Sequence, residues 1–177
     1  MITTGIIVFV LIVLDQLTKY LAQLYAPNSF VCIPNFLTFD LTYNKGAAWG
    51  MLSDNTPILV LVSFVATIVL GYLCYKNDWK KAKFSSLAIS LALAGCVGNL
   101  IDRFMACVAG LNDLRPGVVD MISFEPLNFI SKLISGSNFP IFNLADIFLV
   151  VGLIMYCIDL VFFAEKREKV KNEENSN

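Results

Sequence analysis

Three apolar runs each carry an aspartate that a membrane-spanning segment would not ordinarily keep: Asp15 in LDQLTKY, Asp102 in GNLIDRF and Asp146 in FNLAD. A charge at mid-membrane costs on the order of 2.5–3.5 kcal/mol, so a carboxylate retained there points to a functional site. A fourth, Asp120 of VVDMI, lies in a polar stretch between two of the runs. The chain has no histidine, and its five cysteines (Cys32, Cys74, Cys96, Cys107, Cys157) follow neither CxxC spacing nor a metal-ligand pattern. The chemistry on offer is therefore that of carboxylates, assisted by the amides of Asn44, Asn99 and Asn143 and by the Arg103 guanidinium. Two carboxylates that share a site cannot both ionise easily, so one holds a proton while the other acts as a base. Such a pair can activate a water and then protonate a leaving amine, which hydrolyses a peptide bond without a covalent intermediate, metal or cofactor.

The elements that would have to position these groups are membrane spans. At 177 residues and 57% hydrophobic, with a mean hydropathy of +0.70, the chain is too apolar for a soluble domain of that length. It reads as an all-α membrane protein of one domain, residues 1–164, with four spans at about 2–24, 57–75, 84–104 and 140–164. The first lacks the basic start and small-residue cleavage pattern of a secretory signal peptide and is expected to be a retained helix. The second carries no charge and is expected to be the least functional. The third is rich in Ala, Gly and Ser, which let helices approach closely in lipid.

Between the first two spans, residues 30–56 form an outer β segment. Leu37, Phe39, Leu41 and Tyr43 alternate there with polar residues, the period of a half-buried strand. KGAAWGM follows, with Trp49 suited to an interfacial element. Residues 105–140 read as a polar connection holding a strand around Asp120, and residues 165–177 as a charged, solvated tail.

A net charge of -1 gives no footing for nucleic acid, but the charges are segregated along the chain. Lys76, Lys80, Lys81 and Lys83 crowd one short loop, and Lys166, Arg167, Lys169 and Lys171 crowd the tail. The positive-inside rule places both clusters, and both termini, in the cytoplasm. Asp15 and Asp102 then end outbound helices, Asp146 begins an inbound one, and Asp120 sits above them, so the four share one outer layer.

Each motif alone has a plainer reading. Asp15 with Lys19 at i+4, and Asp102 with Arg103, could be ion pairs at helix ends, and Asn143 or Asp146 could cap the last helix. A proton-coupled transporter would string polar residues through the membrane depth, which the apolar second span does not do. A structural adaptor would have no use for Asp120, which lies outside any span, and a metal-dependent hydrolase would hold Mg²⁺ or Ca²⁺ on the carboxylates.

Taken in order, DQLTK, YNKGAAWG, GNLIDR, VVDMI and FNLAD resemble the lipoprotein signal peptidase family, signal peptidase II, over essentially the whole chain up to its tail. The resemblance implies an aspartic endopeptidase of the bacterial cytoplasmic (inner) membrane, with its site near the outer face. It would remove the signal peptide from prolipoproteins just before a cysteine that already carries diacylglycerol. By motif match, Asp120 and Asp146 are the catalytic pair it implies. Asn44, Gly46, Asn99, Asp102, Arg103, Asn143 and Ala145 match positions that shape or support the site, and Asp15 with Lys19 a position that maintains it. The implied partners are diacylglyceryl-modified prolipoproteins and membrane lipid, met by a monomer. Ala94 stands where the family often has glycine, and the stretches from Arg103 to Asp120 and from Asp120 to Phe142 are longer than usual.

Overall fold

The computed structural model describes residues 2–26, 28–46, 55–108, 113, 115–164 and 167. Most of KGAAWGM, including Trp49, and all of the tail except Arg167 lie outside the described residues. The elements run α1 (Ile2–Tyr25), β1 (Phe30–Ile33), β2 (Leu37–Asn44), α2 (Thr56–Lys76), α3 (Lys83–Cys107), β3 (Val118–Phe124), α4 (Glu125–Ser135) and α5 (Leu144–Phe162). Four of them, α1, α2, α3 and α5, are 19 to 25 residues long with mean hydropathies of 1.8 to 2.4. At about 1.5 Å per residue each can cross a hydrocarbon core about 30 Å thick.

Helix α3 is the axis of the bundle: 61% of its apolar window is buried within the protein, against 11 to 17% for the other three spans. Its small residues explain why. A Cβ on Gly95 would fall 2.6 Å from the Leu149 backbone nitrogen, and one on Gly152 of α5 would lie 2.7 Å from the Ala88 carbonyl oxygen. Helices α3 and α5 thus meet backbone to backbone, as small-residue faces allow in lipid. Helix α2 is the opposite case: Leu59 is its one buried residue, and Val62, Val65 and Val69 remain more than half exposed, as suits a lipid-facing surface.

The strands form a three-stranded antiparallel sheet in the order β1-β2-β3. The β1–β2 turn closes through a bond from Phe36 N–H to the Ile33 carbonyl, with Asn35 at φ 58°, a left-handed conformation that asparagine tolerates. Thr42 pairs with Asp120 and Asn44 with Val118, so β2 runs along the strand that carries the fourth aspartate. The start of β3 needs Gly117, because a Cβ there would come 2.7 Å from the Asn44 carbonyl oxygen. All of β2 is half-buried, so its alternation of residue types does not become one wet and one dry face.

Two boundaries differ from the sequence expectation. Residues 105–140 are not simply a polar connection with one strand: they also hold α4, whose proline lies in its first turn and whose C-cap is Gly136 at φ 75°. The last span begins at Leu144 rather than Pro140, because Phe142 is drawn into an antiparallel bridge with Ile122 of β3 and Asn143 caps the helix. That bridge ties the entry of α5 to the strand bearing Asp120. At the far end of α5, buried Asp159 pairs with Arg167 at 2.7 and 2.5 Å, so this part of the expected solvated tail is held against the helix.

Candidate active site

The four aspartates converge, and they do so as two differently built pairs. In the first, Lys19 Nζ lies 2.9 Å from Asp15 and 2.8 Å from Asp102, all three side chains being fully buried. Asp102 also forms an ion pair with Arg115, and its other oxygen accepts from Val119 N–H at 3.4 Å. Asp15 accepts from the Ala145 N–H at 3.0 Å and from Gln16 Nε2 at 3.0 Å. Arg115 in turn donates to Gln16 Oε1 at 2.6 Å. Two carboxylates therefore face two cations, the condition for tolerating buried charge. This cluster joins α1, α3, the residues before β3 and the start of α5. Glycine at 98 makes room for it, since a Cβ there would sit 2.5 Å from an Asp15 oxygen and 3.1 Å from the Ala145 Cβ.

The second pair is bridged by amides. Asn143 is the N-cap of α5, and its side-chain oxygen accepts from the Asp146 N–H while Asp146 Oδ2 accepts from the Asn143 N–H, both at 3.0 Å. This reciprocal capping is the plainer reading of FNLAD, and it coexists with a second use of both residues. Asn143 Nδ2 donates to Asp120 Oδ1 at 2.6 Å and to Asn99 Oδ1 at 3.0 Å. Asn99 Nδ2 donates to Asp146 Oδ1 at 2.7 Å, which closes a chain of side-chain bonds from Asp120 through Asn143 and Asn99 to Asp146. Asn44 hydrogen-bonds Asp120 from the neighbouring strand, and its own side-chain oxygen accepts from Gly46 N–H at 2.9 Å, which fixes the amide's orientation. Lys19 Nζ also donates to Asn99 Oδ1 at 3.1 Å, so the cation of the first pair orients an amide of the second.

Burial pushes the Asp120 carboxyl up to about 7, with the Asp146 carboxylate adding to the rise and the amides of Asn44 and Asn143 opposing it. The arrangement can thus hold one proton near neutrality beside a second carboxylate, which is what acid–base hydrolysis needs.

Both carboxylates open onto a cavity of about 890 Å³. Its polar end is Asn44, Ser63, Asn99, Arg103, Asp120 and Asp146, while its walls are apolar residues of α2 and α5, among them Val62, Ala66, Val69, Val150 and Leu153. Helix α2, expected to be least involved, supplies this wall and also Ser63, whose hydroxyl accepts from Arg103 Nη1 at 3.1 Å. Arg103 does not pair with Asp102 as its adjacency suggests; successive helical residues point about 100° apart, so Asp102 turns inward to Lys19 and Arg115 while Arg103 faces the cavity. Its Nε is buried without a hydrogen-bond partner among the described residues. Arg115, Gln16 and Ser63 are the site residues the sequence reading missed. Charge balance was the available signal for Arg115: once Asp15, Asp102 and Lys19 are buried together, a second cation is required.

The geometry agrees with the comparisons to known proteins. The profile of the family described as signal peptidase (SPase) II matches residues 7–162. A lipoprotein signal peptidase of Staphylococcus aureus is 36% identical over 170 residues, spanning 94% of this chain and 93% of its own. One from Deinococcus radiodurans is 37% identical over 174 residues, spanning 96% and 84%. Two solved structures, described as bacterial membrane enzymes studied by the in meso method at 2.3 and 1.9 Å resolution, superpose with TM-scores of 0.69 and 0.67. Each is 34% identical in sequence; the first comparison covers 90% of this chain and 87% of the solved one, and the second 92% and 94%. With a matched profile over nearly its whole length and full-length relatives of one name, the chain belongs to the signal peptidase II family.

Proposed function

We propose that the chain is an aspartic endopeptidase that removes the signal peptide from diacylglyceryl-modified bacterial prolipoproteins, cutting before the lipidated cysteine, with Asp120 and Asp146 as the catalytic pair. The observation that carries this reading is the amide-bridged pair of carboxylates at the head of an apolar cavity. Asp146 takes a proton from a water whose oxygen attacks the scissile carbonyl, and Asp120, which holds its proton near neutral pH, gives it to the carbonyl oxygen. Collapse of the tetrahedral species breaks the C–N bond. The proton held by Asp146 passes to the leaving amine, and Asp120 recovers its own from the intermediate's hydroxyl. The products are a new carboxyl terminus on the signal peptide and a free amino group on the lipidated cysteine.

Arg103 supports the same reading. Its side chain lines the polar end of the cavity beside both carboxylates and can donate to a substrate carbonyl, while Ser63 accepts from its Nη1. The walls formed by α2 and α5 suit an acyl chain or an apolar signal segment that arrives sideways from lipid. We take the working unit to be a monomer. The lysine clusters support a topology with both termini in the cytoplasm and the aspartate layer at the outer face.

The test is to incubate purified protein in nanodiscs with a diacylglyceryl-modified prolipoprotein and with the same peptide unlipidated. The expected result is a shortened product from the lipidated substrate, at a rate unchanged by chelator, and much slower cleavage of the unlipidated one. Equal turnover of the two would remove the lipid from the recognition. Loss of activity with chelator and its return with Mg²⁺ or Zn²⁺ would replace the aspartic mechanism with a metal-dependent one.

A further inference from the structure

Helix α4 is amphipathic the wrong way round for a protein in water. At 100° per residue, Pro126, Leu127, Phe129, Ile130, Leu133 and Ile134 fill one arc, and Glu125, Asn128, Ser131, Lys132 and Ser135 fill the other. The polar arc meets the protein at Asn128, with Glu125 and Ser131 half-buried beside it, while Lys132 and Ser135 at its far end are exposed. Asn128 is buried, donates from Nδ2 to Ser123 Oγ and to Glu125 Oε1, both at 3.3 Å, and accepts from Phe139 N–H at 3.1 Å. The apolar arc points away from it: Phe129 is 66% exposed, Ile130 50%, Leu133 72% and Ile134 82%.

Two features fix where this face lies. Helix α4 starts one residue after β3, whose Ile122 is bridged to Phe142, two residues before α5 enters its span. The Glu125 N–H also donates to the Phe36 carbonyl at 3.0 Å, which ties the helix start to the sheet. The apolar arc therefore begins beside the entry of α5, whose exposed apolar residues, like those of α2, suit a lipid-facing surface. Within the same helix, Leu127 reaches the cavity, as does Phe139, the residue that Asn128 holds.

We propose that α4 is a membrane-interface helix, its apolar arc seated among the acyl chains of the leaflet on the active-site side and its polar arc anchored to the protein through Asn128. Lipid is the occupant that fits, because Leu127 of this arc lines the cavity beside apolar residues of α2 and α5, the spans whose outer faces are apolar and exposed, and the helix's charged residues, Glu125 and Lys132, lie on the other arc. Seated in this way, α4 forms the lip over which a membrane-borne substrate passes into the cavity, a consequence that rests on the function proposed above.

Photocrosslinking tests the seat without reference to catalysis. Full-length protein carrying Leu133→p-benzoylphenylalanine, or Ser135→p-benzoylphenylalanine as the polar-arc control, is reconstituted in phosphatidylethanolamine–phosphatidylglycerol vesicles, irradiated and weighed by intact mass spectrometry. The expected result is phospholipid adducts at position 133 at several-fold the yield at 135. Equal yields at the two positions, covalent dimers at 133 in place of lipid adducts, or no adduct at 133 would each overturn the proposal. Lipid adducts in a protein that fails to cleave prolipoprotein would leave the seat standing and sink the proposed reaction; cleavage without lipid adducts would do the reverse.

Discussion

The protein buries two pairs of aspartates side by side and treats them in opposite ways. Asp15 and Asp102 are matched by Lys19 of α1 and Arg115 of the residues before β3. Among the described residues, the hydrogen bonds to Asp120 and Asp146 come from amide side chains and backbone N–H groups, and both face a cavity. A carboxylate saturated by cations is a strut, since its charge is already answered and its lone pairs are occupied. A carboxylate held by amides keeps its geometry but is left free to trade a proton. The two pairs are not independent, because Lys19 also donates to Asn99, the amide that bonds Asp146.

The sharpest way to break this comparison is to neutralise one aspartate of the amide-held pair. Asp120→Asn keeps the side chain's size and most of its hydrogen bonds but removes its proton exchange, and cleavage should fall by at least about 10²–10⁴-fold while the melting temperature holds. A matched fall in melting temperature would mean that this pair is a strut as well.

Removing a cation from the other pair should do the opposite. Lys19→Met leaves Asp15 without a cation and Asp102 with Arg115 alone, and breaking a buried pair in this way costs about 3–5 kcal/mol. The expected outcome is a large loss of folded protein in a thermal melt, with cleavage per folded molecule reduced far less than in Asp120→Asn. Arg115→Leu should lower the melting temperature in the same direction, and a double-mutant cycle with Asp102→Asn should show a coupling of about 0.5–3 kcal/mol.

The pH dependence separates the pairs again. The folded chain binds the Asp120 proton up to about 7, well above its ordinary value of 3.8. Its contribution to stability is therefore complete below about 3.8 and lost as pH rises through about 7. Cleavage should decline over the upper part of that window, as the acid is lost and both carboxylates become charged. A rate that keeps rising above pH 8 would contradict the assignment of the proton to Asp120. The smallest effect expected is at Ser63→Ala, which removes one bond to Arg103 worth about 1 kcal/mol and should raise KM a few-fold with kcat nearly unchanged.

What the sequence made legible follows from which interactions are local. Long apolar runs, the alternation in Leu37 to Tyr43 and the small residues of the third span each announce an element through its own periodicity, and the elements appear. FNLAD could be read as a helix cap from five residues because capping is a local bond. The partner of Asp102 could not, since the nearest cation in the chain, Arg103, lies on a different helical face from the true partners at positions 19 and 115. Helix α4 was hidden for another reason. Its apolar spacing is present, but it spans only 11 residues between a strand and a turn at Gly136, and composition there reads as loop. Ser63 was lost in an apolar span whose composition gives no hint that one side lines a site.

The central claim is that one pair reacts while the other supports, and the most direct test compares Asp146→Asn with Asp102→Asn in single-turnover cleavage of a diacylglyceryl-modified prolipoprotein, each rate divided by the folded fraction. The account predicts background cleavage for Asp146→Asn and measurable turnover for Asp102→Asn, whose loss should appear mainly in folding. Robust turnover by the Asp146→Asn protein would contradict it.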